Sequence, residues 1–167
     1  IELCADLTTF VGGRELDDDG SILIRFNGGA RGVLWATQIA VGQENDLRIR
    51  VYCEKGSLDW HQEEPNTLVV RWIDKPIELR RTGTSFVGKA ANANSRLPPG
   101  HPEGYIEAFA NIYRIFADAL YDILAGNKVG DSQFDFPNVR DGVHGMAFLD
   151  AVVRSSKSEK KWVAVPE

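Results

Sequence analysis

The chain has 167 residues, of which 43% are apolar and 26% charged, and a formal net charge of −5 at neutral pH. That is the balance of a folded globular protein with room for one core, and it excludes a disordered chain. Lys and Arg are scattered rather than gathered into the basic stripe that nucleic-acid binding requires. No apolar run approaches the roughly 20 residues of a bilayer-spanning helix, so the default expectation is a cytoplasmic protein.

From residue 2 to 81 the hydrophobic period is two. Leu3, Ala5 and Leu7 share one face of a first strand, and Ile22, Ile24 and Phe26 share one face of a second. Val33, Trp35, Thr37 and Ile39 fall on one side of a third. Asn27-Gly28 between the second and third supplies residues that tolerate positive φ, which predicts an antiparallel hairpin. LRIRVYCE, SLDWH, TLVVRWI and PIELRR continue the alternation, so the first two thirds predicts an antiparallel meander of about six or seven strands. Leu34 and Ala36 lie opposite Trp35, and the expectation is that they form an outer face that packs against a second copy or another domain.

Residues 82–101 break every period and carry Gly83, Gly88, Pro98, Pro99 and Gly100. A connection this long is functional more often than a short one. The period then becomes 3.6, with Ile106, Phe109, Tyr113, Phe116, Leu120 and Leu124 on one stripe of a helix from Pro102 to about Ala125, stopped by Gly126. Burying that stripe at roughly 2 kcal/mol per side chain would dock the helix on the sheet. A second helix is predicted from Asn138, whose side chain caps it with Asp141 at the third position, to about Ser156. Strands followed by helices make an α+β domain: an open, predominantly antiparallel β-sheet with helices packed on one face. One domain spanning residues 1–167 is expected.

Chemistry is sparse. Pro102 suits the first position of a helix, which would make His101 the N-cap and aim free N–H groups at a hydroxyl-rich or anionic ligand. Glu103 and Tyr105 stand beside it in the first turn. His61 and His144 have no partner at metal-ligand spacing, and Asp17-Asp18-Asp19 reads as a solvated loop between strands. Cys4 and Cys53, single and far apart, read as small buried apolar residues. GGARG lies between two strands, whereas a dinucleotide fingerprint opens a helix. No catalytic constellation assembles from these residues. The chain opens at Ile1 inside an alternating strand, which points to the C-terminal piece of a longer polypeptide.

DDDGSILIRFNGGARGVLWATQIAVGQENDLRIRVYCEKGSLDWHQEEPNTL, followed by GHPEGYIEAFANIYRIFADAL and DFPNVRDGVHGMAFLDAVVRSS, resembles the C-terminal domain of the Gfo/Idh/MocA oxidoreductases. The resemblance covers nearly the whole chain. It implies a dihydrodipicolinate reductase-like C-terminal domain, an N-terminal Rossmann domain binding NAD or NADP outside these residues, and a sugar or polyol substrate. It also implies that the catalytic lysine of the family's E-K-P motif lies upstream of Ile1, together with the Asp and His of G-x-x-x-D-x-G-x-H. Lys55, in EKGS, is not that lysine, because it belongs to a turn and no proline follows it. This piece is therefore expected to hold no catalytic residue, cofactor or metal, and to orient substrate through His101, Glu103 and Tyr105, with Gln43 and Asn45 as second choices. The open sheet face is expected to carry homo-oligomer contacts. The rival reading is a stand-alone, non-catalytic module that assembles through its sheet or binds carbohydrate.

Overall fold

The computed structural model describes residues 1–130 and 135–166. Eight strands and three helices follow in order: β1 (Glu2–Thr8), β2 (Asp19–Arg25), β3 (Arg31–Thr37), β4 (Arg48–Tyr52), β5 (Gly56–His61), β6 (Thr67–Trp72), β7 (Glu78–Arg81), α1 (Lys89–Ala93), α2 (Tyr105–Leu124), α3 (Val139–Lys157) and β8 (Val163–Ala164). The α+β class expected from the sequence is what forms. The strands, however, fall into two four-stranded antiparallel sheets, β3-β2-β1-β8 and β4-β5-β6-β7, instead of one meander. The chain divides correspondingly into two compact units, Ile1–Gly42 with Pro137–Glu167, and Gln43–Phe136.

In the first unit the β2–β3 turn sets which side chains meet. Phe26 N–H donates to Ala30 O at 3.0 Å, and Gly28 and Gly29 take φ of 85° and 95°, so the turn spans residues 26–30 and Arg25 faces Arg31. That count pairs Ile22 with Leu34 and Gly20 with Ala36. Directly opposed residues share a face, so Leu34 and Ala36 join Leu3, Ala5 and Ile22 on the side covered by α3. The expectation that they form the outer face is corrected: that face carries Leu23, Val33 and Trp35, which are 49%, 77% and 62% exposed.

The core of this unit is Leu3, Ala5 and Ile22 against Ala151 and Val152 of α3. The predicted N-terminus of α3 is observed: Asn138 Oδ1 accepts from the amides of Arg140 and Asp141 at 2.8 and 3.3 Å, and Asp141 accepts from the Asn138 amide at 2.7 Å. At its other end two serines bind β1 directly. Ser155 Oγ accepts from Ala5 N–H at 2.8 Å and donates to the Lys161 carbonyl, and Ser156 Oγ accepts from Leu7 N–H at 3.0 Å. Asp18 departs from the solvated-loop reading. It is buried, and its carboxylate accepts from the amides of Phe10 and Val11 and from Arg14, bonds that hold its pKa below the ordinary value against the opposing cost of burial. Cys4 is half-buried and Cys53 exposed, so the expectation of burial fails for Cys53.

In the second unit α2 uses a face other than the predicted one. At about 100° per residue its buried positions, Asn111 and Ala119, lie away from the stripe of Ile106, Phe109, Tyr113, Phe116, Leu120 and Leu124, every one of which is exposed. Polar contacts explain the choice. Asn111 Nδ2 donates to Asn94 O at 2.9 Å and Arg114 Nη2 to Ala93 O at 3.0 Å, which ties α2 to the end of α1. Gly126, with φ of 80°, ends the helix where expected.

Candidate functional site

The segment between β7 and α2 contains the residues singled out for ligand contact, and its conformation is held by a small number of side chains. Asn66, in the β5–β6 connection, is the main anchor. Its Nδ2 donates to Glu103 O at 2.7 Å, and its Oδ1 accepts from Thr82 Oγ1 at 3.0 Å and from the Glu103 amide at 3.3 Å. Glu103 carries the tie further, because its carboxylate accepts from the backbone amides of Arg96 and Leu97 at 2.9 to 3.3 Å. The carboxylate of Glu103 is thus occupied within its own loop. Gly83, with φ of 75°, lies so close to the chain that a Cβ would stand 2.9 Å from Leu97 O. No residue with a side chain fits there without displacing backbone.

The start of α2 differs from the expected one. Its N-cap is Gly104, and Glu107 accepts from the Gly104 amide at 2.8 Å. That bond holds the Glu107 carboxyl below its ordinary pKa. A carboxylate at the third helical position satisfies one of the orphan N–H groups and suits the positive end of the helix dipole. This outweighs the preference of Pro102 for the first position, so neither Pro102 nor His101 belongs to the helix or its cap. His101 is exposed, with Nδ1 3.3 Å from Pro98 O. Tyr105 is 66% exposed and its ring leans on Phe109 at 4.8 Å between centroids.

Asn45 donates to Gln62 Oε1 at 3.0 Å and Gln43 is exposed. No hydrogen bond among the described residues links either to residues 101–105. His101, Glu103 and Tyr105 are therefore grouped by one short segment, while Gln43 and Asn45 stand on another. Beside the loop, a cavity of about 300 Å³ is lined by Trp60, Pro65, Asn66, Leu68, Phe86 and Val87, among others. His61 pairs with Asp46 at 2.6 Å, and no cluster among the described residues is arranged to hold a metal.

Comparison with known proteins finds relatives of this chain. Residues 1–59 match the model of the GFO/IDH/MocA C-terminal domain. An oxidoreductase of Sinorhizobium meliloti superposes with a TM-score of 0.91 at 43% identity, over 98% of this chain and 46% of that one. Residues 1–59 thus carry the pattern of the Gfo/Idh/MocA C-terminal domain. An uncharacterized oxidoreductase of Bacillus subtilis, YfiI, is 32% identical over 166 residues, 97% of this chain and 42% of its own length. The inositol dehydrogenase homolog of Azotobacter vinelandii, solved in complex with NAD+, superposes with a TM-score of 0.91 at 29% identity, over 97% of this chain and 42% of its own. The same homolog with NADH and myo-inositol gives 0.83 at 28%.

The chain thus spans less than half the length of the relatives it matches. Its glycine-rich segment does not have the form of a dinucleotide fingerprint. The glycine-rich segment turns between β2 and β3, with Gly28 and Gly29 at the tip of a hairpin, and offers no strand-to-helix crossing for a pyrophosphate. Asn66 escaped the sequence reading because its partners lie 16 and 37 positions away and no local motif announces them. Its place among Glu63, Glu64 and Pro65 marks only a turn.

Proposed function

We propose that this chain is the substrate-side and assembly domain of a cytoplasmic NAD- or NADP-dependent oxidoreductase that acts on a hydroxyl group of a sugar, polyol or related compound. The nicotinamide nucleotide and the catalytic groups are supplied by residues outside the two units described. The observation that carries the reading is the tethered loop. Asn66 and Glu103 hold a segment on which His101 and Tyr105 stand exposed, each with a polar group able to bond a hydroxyl. Preorganisation of this kind suits orientation of a small polar ligand, since the ordering cost is met before binding. Glu103 serves through the loop it braces, and Gln43 and Asn45 are further contacts from a separate segment. The complex of the A. vinelandii homolog with NADH and myo-inositol supports the substrate class.

The outer face of the first sheet, with Val33 and Trp35 exposed, is the proposed surface for a second copy. In the full-length oxidoreductase, His101→Ala is expected to raise KM for the polyol by about tenfold, the effect of losing one hydrogen bond at roughly 1.5 kcal/mol. Unchanged KM and kcat would remove His101 from the site.

A further inference from the structure

One face of the second sheet carries Arg48, Arg50 and Tyr52 of β4, Ser57, Asp59 and His61 of β5, and Val69 and Arg71 of β6, as the pairings Arg50 with Asp59 and Ser57 with Arg71 require. Asp59 is 7% exposed and lies beneath the arginines. Arg48 grips it through two bonds, Nε at 2.8 Å and Nη2 at 2.6 Å, and so cancels its charge. Asp46 adds negative charge near Arg48, and is itself paired with His61.

Arg50 and Arg71 are left in excess. Arg71 spends one N–H on Asp59 at 3.2 Å, and Arg50 approaches the same carboxylate only to 3.9 Å. Neither guanidinium has another acceptor within hydrogen-bond distance among the described residues, and both side chains are nearly half exposed. Each retains several of its five N–H donors. Between them on the same face is the small side chain of Ser57, opposite both Tyr52 and Arg71. The result is two forked cations and a hydroxyl on one face, where three arginines outnumber Asp59 and Asp46 by one positive charge.

We propose that Arg50 and Arg71, braced from below by Asp59 and flanked by Ser57, bind a phosphate dianion, either free or as the phosphate group of an ester. Two arginine forks match the tetrahedral oxygens of phosphate, a geometry that a planar carboxylate does not fill. Asp59 is already neutralised by Arg48, so its bond to Arg71 positions that guanidinium without cancelling the site. The site does not depend on the proposed oxidoreductase activity.

The test is titration of the purified chain with inorganic phosphate and, separately, with glucose 6-phosphate, at low and moderate salt, followed by calorimetry. Saturable one-to-one binding is expected, weakened about tenfold or more in Arg50→Gln, in line with the loss of a charge-assisted bond. It should weaken with added salt. Arg140→Gln, at an exposed arginine of α3, is expected to bind as the parent does. Tighter binding of the ester than of inorganic phosphate identifies a phosphate ester as the ligand, and equal binding identifies free phosphate. Arg71→Gln removes a bond to Asp59, so Arg50→Gln, which breaks none, is the decisive variant. Absence of saturable binding to either probe, or binding that Arg50→Gln leaves intact, overturns the proposal.

Discussion

Ser155 is fully buried, and its hydroxyl satisfies two backbone groups at once, the Ala5 amide of β1 and the Lys161 carbonyl that leads into β8. Replacing it with alanine removes one oxygen atom and leaves a gap too small for water, so both groups lose their partner inside the core. A buried group stranded in this way costs about 1 to 3 kcal/mol. Two such groups, less the hydroxyl's own burial cost, put Ser155→Ala at roughly 3 kcal/mol. For a chain of this size that corresponds to a fall in Tm of about 6 to 12 °C. Ser156→Ala, which frees only the half-buried Leu7 amide, is the internal comparison and is expected to cost about 1 kcal/mol. Urea unfolding gives the free energies, and hydrogen exchange at the Ala5 amide reports the bond directly. A cost below about 0.5 kcal/mol, with Ala5 protection unchanged, would refute the claim that the hydroxyl is what satisfies these groups.

Hydrogen bonds from Arg48 lower the Asp59 pKa from 3.8 to about 2, despite the opposing cost of burial. Its folded pKa lies below the unfolded one, so its contribution is complete above pH 3.8 and is lost as pH falls toward 2; the acid limb of the stability curve should flatten in Asp59→Asn. Asn66→Ala should speed amide exchange at Glu103 at least tenfold while leaving exchange in β1 and α3 unchanged, because its bonds all lie within the second unit. Trp35→Asp, on the outer face of the first sheet, should shift the chain toward monomer in light scattering at several concentrations; an unchanged mass at every concentration would remove that face from assembly.

What could be foreseen from the residues was local. Asn138 and Asp141 cap α3 across three positions, and Gly126 ends α2 at a positive φ, and both signals lie within one turn of chain. The faces of β3 were not foreseeable from alternation alone, since the period says only that Leu34 and Trp35 point opposite ways. The number of residues in the turn decides which of them meets Ile22, and Asn27-Gly28 matches several turn lengths. At α2 two local preferences competed, Pro102 at a first position and Glu107 bonding the Gly104 amide, and the second prevailed. The stripe from Ile106 to Leu124 was read correctly as helical, but periodicity does not say which face meets a neighbour. That depended on Asn111 reaching Asn94, 17 positions back. Within the loop, the grouping of His101, Glu103 and Tyr105 followed from adjacency, whereas the anchor at Asn66 was a long-range fact.

The discontinuity of the first unit bears on the order in which the polypeptide acquires structure. Strands β1 to β3 are made first, yet the bond that closes their core joins Ala5 to Ser155, 150 positions later. The second unit forms its own sheet, β4 to β7, and the helices α1 and α2 in the interval. During synthesis, then, the inserted unit can finish while the earliest strands still wait with Leu3, Ala5 and Ile22 uncovered. Closing so long a loop adds little to its entropic cost, which grows only with the logarithm of length, but it sets the sequence of events. A chain released before residue 151 would hold a completed second unit beside uncovered β1 to β3, and those exposed strands would be a point at which quality control or aggregation acts.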